Sequence, residues 1–302
     1  MKIVFIINPT AGNGRALKQW LRFEKTISFP YERILTEYPG HATVITTTYK
    51  DDGQRVLLIG FGGDGTLREI IVGAAGANEL IIGSVAAGSG NDFARAYGTF
   101  KEAHEIEKFL ETPYFKRHDL GEFANGQHFQ FVSSSGIGFD AEITIAVNKS
   151  SLKKKLNQFG LGKVAYYLYV IKILLKFETF TLTVQRGDES FVYQDVWLAT
   201  VSNQPYFGGG MKISPSSYTD DGLLELTVVH EISRLKLLLV FGTVFSGAHT
   251  RFKEVSQMSS SEFRLSSNKS VFRHVDGDDA GVSPQNETVV YAVSPHDWAS
   301  IH

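Results

Sequence analysis

Unbroken apolar runs alternate with mixed apolar and polar stretches over the first third of the chain. Residues 3–7, 31–36, 56–60 and 80–85 read as strands, and 15–23, 41–49 and a stretch opening at residue 67 read as helices. The run at 3–7 is apolar throughout rather than alternating, the texture of a parallel strand buried on both faces. Strands alternating with helices to about residue 115 predict a parallel, doubly wound α/β sheet. Near residue 119 the texture changes. Segments 129–133, 179–185, 192–201, 223–229, 262–265, 270–274 and 288–293 are short, β-rich and partly alternating, which predicts a second, β-sandwich-like domain. The expected domains are 1–118 and 119–302, with the extreme C-terminus free to return to the first. Two inserted helices are expected, at 164–175 behind Lys153-Lys154-Lys155 and at 235–245. The first carries basic residues and three tyrosines; it suits a core helix with a solvated basic entry, or an interfacial element meeting anionic lipid.

Three of the strands run into loops of small residues that open helices. These are Asn8-Pro9-Thr10-Ala11-Gly12-Asn13-Gly14, Phe61-Gly62-Gly63-Asp64-Gly65-Thr66, and Ala86-Ala87-Gly88-Ser89-Gly90-Asn91-Asp92. Glycines let a ligand come close to the main chain, and the free N–H groups at a helix start point toward an anion. The spacing is neither the Walker A pattern nor the dinucleotide fingerprint. Each loop alone is compatible with an ordinary turn. Together, with Asn8, Asp64, Thr66, Ser89 and Asn91 on them, they point to nucleotide or phosphate held in one crevice at the carboxyl ends of parallel strands.

Composition narrows the partners. The chain of 302 residues has a formal net charge of -2, so no basic field advertises nucleic acid. The absence of cysteine removes disulfides, thiolate metal sites and cysteine nucleophiles. The scattered histidines have no zinc-ligand spacing. Acidic clusters lie at Tyr218-Thr219-Asp220-Asp221-Gly222-Leu223-Leu224-Glu225 and His274-Val275-Asp276-Gly277-Asp278-Asp279. Each suits a turn; carboxylates beside glycines also suit a hard cation such as magnesium, bound through few protein ligands plus phosphate and water. The apolar start is too short for a signal peptide, and no uncharged run approaches the ~20 residues of a spanning helix. The expected location is cytoplasmic, with transient contact at the inner face of the membrane.

With these motifs assembled, the chain resembles the diacylglycerol kinase catalytic-domain family, in particular the bacterial soluble lipid kinases, nearly end to end. The motifs that carry the resemblance are Asn8-Pro9-Thr10-Ala11-Gly12, Gly62-Gly63-Asp64-Gly65-Thr66-Leu67, Gly88-Ser89-Gly90-Asn91-Asp92-Phe93-Ala94-Arg95, Gly136-Ile137-Gly138-Phe139-Asp140-Ala141, Asp221-Gly222-Leu223-Leu224-Glu225 and Asp276-Gly277-Asp278. NAD kinases share the Gly-Gly-Asp-Gly-Thr stretch and phosphofructokinases part of it; the segment at 89–95 and the order of the later acidic motifs tilt to lipid kinases.

The resemblance implies an NAD kinase-like α/β domain and a β-rich domain with ATP in the cleft between them, and γ-phosphoryl transfer to a lipid hydroxyl. By the same resemblance, Asn8, Pro9, Thr36, Gly62, Gly63, Asp64, Gly65, Thr66, Glu69 and Ser89 contact the nucleotide. Asp221 and the carbonyl of Leu223 hold magnesium. Asp276 takes the acceptor proton with Asp278 beside it, and Asp92 and Asp119 join the domains to the metal. Arg68 stands where the family often has Asn, Asp278 where Glu is usual, and Tyr218 where some members add a metal carboxylate. The expected reaction is ATP- and magnesium-dependent conversion of diacylglycerol to phosphatidic acid. The alternatives are a kinase acting on NAD and a catalytically silent lipid- or nucleotide-binding protein. The acceptor among diacylglycerol, a sphingoid base, phosphatidylglycerol and an undecaprenyl-type alcohol stays open, as does a homodimer.

Overall fold

The computed structural model of the chain describes residues 1–51, 53–88, 90–125, 127–149 and 162–301, without the side chains of 125 and 162–168. Ser89, Lys153-Lys154-Lys155 and the side chains of Tyr166 and Tyr167 lie outside the described residues. Strands β1 (Lys2–Ile7), β3 (Val56–Gly62) and β4 (Leu80–Ala86) are buried almost throughout, as their apolar runs predict. With β2 (Glu32–Leu35) they form a parallel set in the order β2-β1-β3-β4. The order reverses between β1 and β3, and the loops leaving these two strands therefore flank the crevice where such sheets take ligands.

Helices cover both faces of this sheet. α1 (Ala11–Phe23) and α5 (Ala103–Glu111) bury Ala16, Trp20, Phe23, Ala103 and Ile106 against Phe5, Phe61 and Val85 on one side. α2 (His41–Thr47), α3 (Asp64–Ala74) and α4 (Asp92–Tyr97) bury Ala42, Ile45, Leu67, Ile70, Ile71 and Phe93 against Val4, Ile6 and Leu58 on the other. In α1 the backbone is left-handed at Gly12, Asn13 and Gly14 (φ 59, 58 and 82), so the regular helix begins at Arg15, as the sequence predicts.

The β-rich half joins this sheet through its last strand. β16 (Thr288–Ser300) pairs parallel with β4 through Ala299 and Ser300, and antiparallel with β5 (Lys116–Asn125) and β13 (Glu262–Ser267). The sheet continues through β8 (Phe180–Arg186) to β9 (Glu189–Val196), with β6 (Gln127–Phe131) on β5. A second sheet, fully antiparallel, has the order β12 (Val255–Ser260), β11 (Leu224–Val229), β10 (Leu198–Ser202), β7 (Ser134–Gly138), β14 (Val271–Val275), β15 (Asp278–Ser283). Phe123, Phe131, Val184 and Tyr291 from the first sheet and Ile137, Val201, Leu226 and Val275 from the second share one core. The architecture is thus an α/β domain and an antiparallel β domain with inserted helices α6 (Phe139–Asn148), α7 (Gly162–Lys176) and α8 (Arg234–Phe241).

The run at 192–201, expected as one strand, is two strands in different sheets. Asp195 adopts φ 48, and Trp197 anchors the crossing with its N–H on the Val229 carbonyl and its indole Nε1–H on the Ile232 carbonyl. The β-rich texture of the run reports strand but not a change of sheet.

Candidate active site

Backbone closeness explains the small residues of the loops after β1, β3 and β4. A Cβ on Gly12 would lie 2.6 Å from the Ala87 carbonyl oxygen, and one on Gly88 would lie 2.6 Å from Gly63 Cα. The Ala87 amide donates to the Gly62 carbonyl at 2.9 Å, and Asn8 Nδ2 donates to Thr66 Oγ1 at 3.0 Å. Asn8, Gly62, Gly63 and Thr66 therefore meet at one place, with Pro9 and Gly65 on the same two loops. Thr36 joins them, since its amide donates to the Ile7 carbonyl at 2.8 Å.

Two predicted nucleotide carboxylates, both half-buried, have structural partners. Asp64 Oδ1 accepts the Phe93 amide at 3.0 Å at the start of α4. Burial raises its pKa, the nearby Asp92 charge adds to the rise, and the amides at 91–93 oppose it. Glu69 accepts the Gly40 amide at 2.9 Å and the Ala42 amide at 3.1 Å, closing the start of α2 with both oxygens. These contacts set the walls of the crevice.

The β domain supplies the opposing wall. Asp276 and Gly277 form the two-residue turn between β14 and β15, both with positive φ (46 and 89). This is the Asp-Gly hairpin signature, whose turn geometry matches the twist of the paired strands. The Asp276 side chain folds back onto the segment entering β7. Its Oδ2 accepts the Val132 amide at 2.8 Å, and its Oδ1 accepts the Ser133 and Ser134 amides at 2.8 and 2.9 Å. Charge-assisted bonds of this kind contribute about 1.5–3 kcal/mol each. Burial raises the Asp276 pKa, against the lowering effects of Arg68 and the three amides.

Arg68 crosses from α3 to this turn. Its Nε lies 3.3 Å from Asp276 Oδ2 and its Nη1 donates to Asp278 Oδ2 at 2.8 Å. The two carboxylates differ in access: the Asp276 side chain is 8% exposed and that of Asp278 66%.

Further bonds tie the remaining acids to the junction of the two domains. Asp92 Oδ2 accepts the Gly209 amide at 2.7 Å, linking α4 to the Gly208-Gly209-Gly210 loop of the β domain. Asp119, fully buried, accepts the Gly222 amide on Oδ2 at 2.7 Å and the His296 amide on Oδ1 at 2.8 Å. Asn203 Nδ2 donates to the carbonyls of both Asp119 and Val132, at 2.9 and 3.3 Å. A continuous path thus runs from Asp276 through Val132, Asn203 and Asp119 to the Asp221-Gly222 turn.

At that turn Asp221 Oδ1 accepts the Leu223 amide at 3.0 Å, and Lys116 pairs with Asp220 at 2.8 Å. Burial raises the Asp221 pKa; the Leu223 amide opposes this, and Asp119 and Asp220 reinforce it. Glu225, buried beside it, is raised to about 7, first by burial, with the Asp221 charge adding to the rise and the Ser217 and Ser259 hydroxyls opposing it. A concentration of oxygen donors under mutual repulsion fits a hard cation. Among the described residues no three acidic or histidine side chains surround a common point, so the fit is to an ion that takes few protein ligands.

Arg68 stands in the sequence analysis without these contacts. Its partners, like those of Asn203 and Gly209, lie far along the chain; the Asp-Gly pairs at 221–222 and 276–277 carry the local signals. A separate cavity of about 560 Å³ opens on the α1/α5 face, lined by Arg22, Phe23, Phe61, Phe100, Lys101 and His104 among others; no predicted site residue lines it.

Comparison with known proteins gives the family and the fold. Residues 2–122 match the diacylglycerol kinase catalytic domain, and residues 133–296 match the YegS C-terminal NAD kinase beta sandwich-like domain. The chain is 30% identical to YtlR of Bacillus subtilis (strain 168) over 293 residues, covering 93% of this chain and 94% of YtlR. It is 27% identical to a diacylglycerol kinase of the same organism over 290 residues, 92% of this chain and 90% of that one. In fold it is similar to a diacylglycerol kinase of Bacillus anthracis str. Sterne (TM-score 0.70, 19% identity, 100% and 96% of the two chains). It is also similar in fold to an NAD kinase of Archaeoglobus fulgidus solved with ATP (TM-score 0.51, 9% identity, 100% and 94%). With both domain matches in sequence order and a relative aligned almost end to end, the chain belongs to the bacterial lipid-kinase family built on the diacylglycerol kinase catalytic domain, a family of phosphotransferases.

Proposed function

We propose that the protein transfers the γ-phosphoryl group of ATP to the hydroxyl of a lipid, with diacylglycerol as acceptor and phosphatidic acid as product. The observation that carries this reading is the junction of the two domains, where Arg68 of α3 meets Asp276 and Asp278, Asp92 of α4 holds the Gly209 amide, and a hydrogen-bonded path links Asp276 to the Asp221-Gly222 turn. In this reading the loop amides at 62–66 bind the phosphates, Asn8 and Thr66 fix the loops against each other, and Thr36 borders the nucleotide. Magnesium, held by the Asp221 carboxylate and the Leu223 carbonyl, neutralises phosphate charge when bound.

Phosphoryl transfer asks the protein mainly for position and charge compensation. The lipid oxygen forms a bond to the γ-phosphorus as the bond to the β,γ-bridging oxygen breaks, and ADP leaves. The acceptor proton needs a carboxylate within hydrogen-bond reach. The resemblance gives that role to Asp276, but three amides already occupy its two oxygens, whereas the Asp278 carboxylate, paired with Arg68 through Oδ2, is 66% exposed. We assign the proton to Asp278, which is open to solvent, and give Asp276 the task of fixing the turn. Substrate collection at the inner membrane face belongs to the same proposal; among the described residues no helix is long and apolar enough to cross a membrane.

The test is a lipid panel with labelled ATP and magnesium, followed by mass spectrometry of the product. Labelled phosphatidic acid supports the reading. Labelled NADP with no labelled lipid, or lipid binding without transfer to any acceptor, overturns it.

A further inference from the structure

Helices α7 and α8 leave an apolar surface that the described chain does not cover. On α7, Val170, Ile173 and Leu174 face the core while Ile171 and Leu175 are exposed, Leu175 by 70%. On α8, Leu237 and Val240 are buried while Leu235 and Leu239 are each 71% exposed, with Leu238 and Phe245 beside them also exposed. The inner faces of both helices sit in one hydrophobic core. Arg234, at the start of α8, binds the end of α7 through Nε on the Leu174 carbonyl and Nη2 on the Phe177 carbonyl, both at 3.0 Å. The outer leucines therefore point away from a common base.

Charge selects the occupant. Neither α7 (GKVAYYLYVIKILLK) nor α8 (RLKLLLVF) has an acidic residue; of the cations on α8, Arg234 is held by the Leu174 and Phe177 carbonyls and Lys236 by Glu254 at 2.7 Å, so the charge of the face comes from α7. Lys172 and Lys176 are exposed beside Ile171 and Leu175. Glu178, just past α7, is paired with Lys269 at 3.2 Å. Exposed leucines bordered by lysines match a bilayer interface with anionic headgroups, where apolar side chains enter the acyl boundary and lysines meet phosphates.

The face also connects to the cleft. α6 packs between α7 and the hairpin β14–β15, with the Phe139 and Phe177 rings 5.5 Å apart. At its far end Asn148 Nδ2 donates to the Gly277 carbonyl at 2.8 Å, and Lys149 pairs with Asp279 at 3.0 Å.

We infer that the joint outer face of α7 and α8 is the surface on which this protein seats on an anionic bilayer, and that α6 relates this seating to the turn carrying Asp278. The inference rests on the lipid-acceptor reading for its purpose, but its test does not need turnover. Wild type and the variants Leu235→Asp/Leu239→Asp, Leu175→Gln and Lys172→Gln/Lys176→Gln are sedimented with phosphatidylcholine vesicles, with and without phosphatidylglycerol, in the absence of ATP. The wild type should bind the anionic vesicles preferentially. Removing the two α8 leucines should weaken binding by roughly tenfold or more, and Leu175→Gln should weaken it in the same direction. Neutralising the lysines should weaken it by about fivefold per charge and flatten its salt dependence. Unchanged melting temperatures confirm that the exposed positions tolerate the changes. Equal binding to neutral vesicles, equal binding by the variants, or wild-type dimers that the leucine changes dissociate while no vesicles are bound would overturn the inference. Loss of vesicle binding with full turnover on micellar acceptor supports seating on this face; vesicle binding with no turnover on any acceptor counts against the kinase reading alone.

Discussion

Arg68 Nη1 lies 2.8 Å from Asp278 Oδ2, joining the first turns of α3 in one domain to the Asp276-Gly277-Asp278 hairpin of the other. The same guanidinium stands 3.3 Å from Asp276, where its charge lowers a carboxyl pKa that burial raises. Arg68→Asn removes that opposing effect, so the Asp276 pKa rises further. A carboxyl whose folded pKa is raised loses stability as pH climbs through the window between its unfolded and folded values. The variant should therefore lose more melting temperature relative to wild type at pH 8 than at pH 4.5. Thermal melts of the two proteins at the two pH values check this; identical differences would remove Arg68 from this role.

The division of labour within the hairpin can be separated by substitution. Asp278→Asn should lower kcat by about 10²–10⁴-fold, the usual worth of a positioned acid–base group, with nucleotide affinity and melting temperature near wild type. Asp278→Glu keeps the carboxylate and should retain measurable turnover. Asp276→Asn loses charge-assisted bonds to three amides, so its melting temperature should fall along with its activity. Turnover by Asp278→Asn at the wild-type rate would return the proton to Asp276.

Gly65 offers a test of phosphate binding that stability does not confound. A Cβ there meets nothing within 4 Å, and the residue lies inside α3, so packing does not ask for glycine. Alanine in a helix is favoured over glycine by about 0.5–1 kcal/mol. Gly65→Ala should leave the melting temperature equal or higher while raising KM for ATP, because the new methyl stands where a phosphate approaches the main chain. Gly88→Ala, in contrast, drives a Cβ to 2.6 Å from Gly63 Cα and should damage fold and binding together.

Glu225 predicts a pH signature for the fold. With its pKa raised to about 7, its ionised form is disfavoured in the folded chain. The sign is that of a raised acid: full stability below the unfolded value near 4.5, loss as pH rises through about 7. Glu225→Gln should gain melting temperature over wild type at pH 8 in chelator and show little difference at pH 4.5. Added magnesium should narrow the gap at pH 8 by stabilising the wild type.

Much of this molecule was legible in its sequence because burial writes directly into composition. The continuous apolar strands β1, β3 and β4 and the small residues after them follow from a sheet covered on both faces and loops in backbone contact. The β domain was legible as a texture, but not in its pairing. β7, Ser-Ser-Gly-Ile-Gly, is buried through its neighbours rather than through its own hydrophobicity. The candidate acids could be named from their motifs, yet their different situations could not. The three amides that surround Asp276 belong to residues 132–134, and the arginine beside it to residue 68; no local pattern encodes a partner so remote.

The return of β16 to β4 has a consequence for how the protein comes into being. Its last paired residues, Ala299 and Ser300, lie beside Ile81 and Ile82, so the amino-terminal sheet keeps a bare edge until these residues, more than 200 positions on, have been made. Exposed strand edges recruit other chains, and closing so distant a pair is slow. Proteolysis that trims residues 288–301 would unseal both lobes at once.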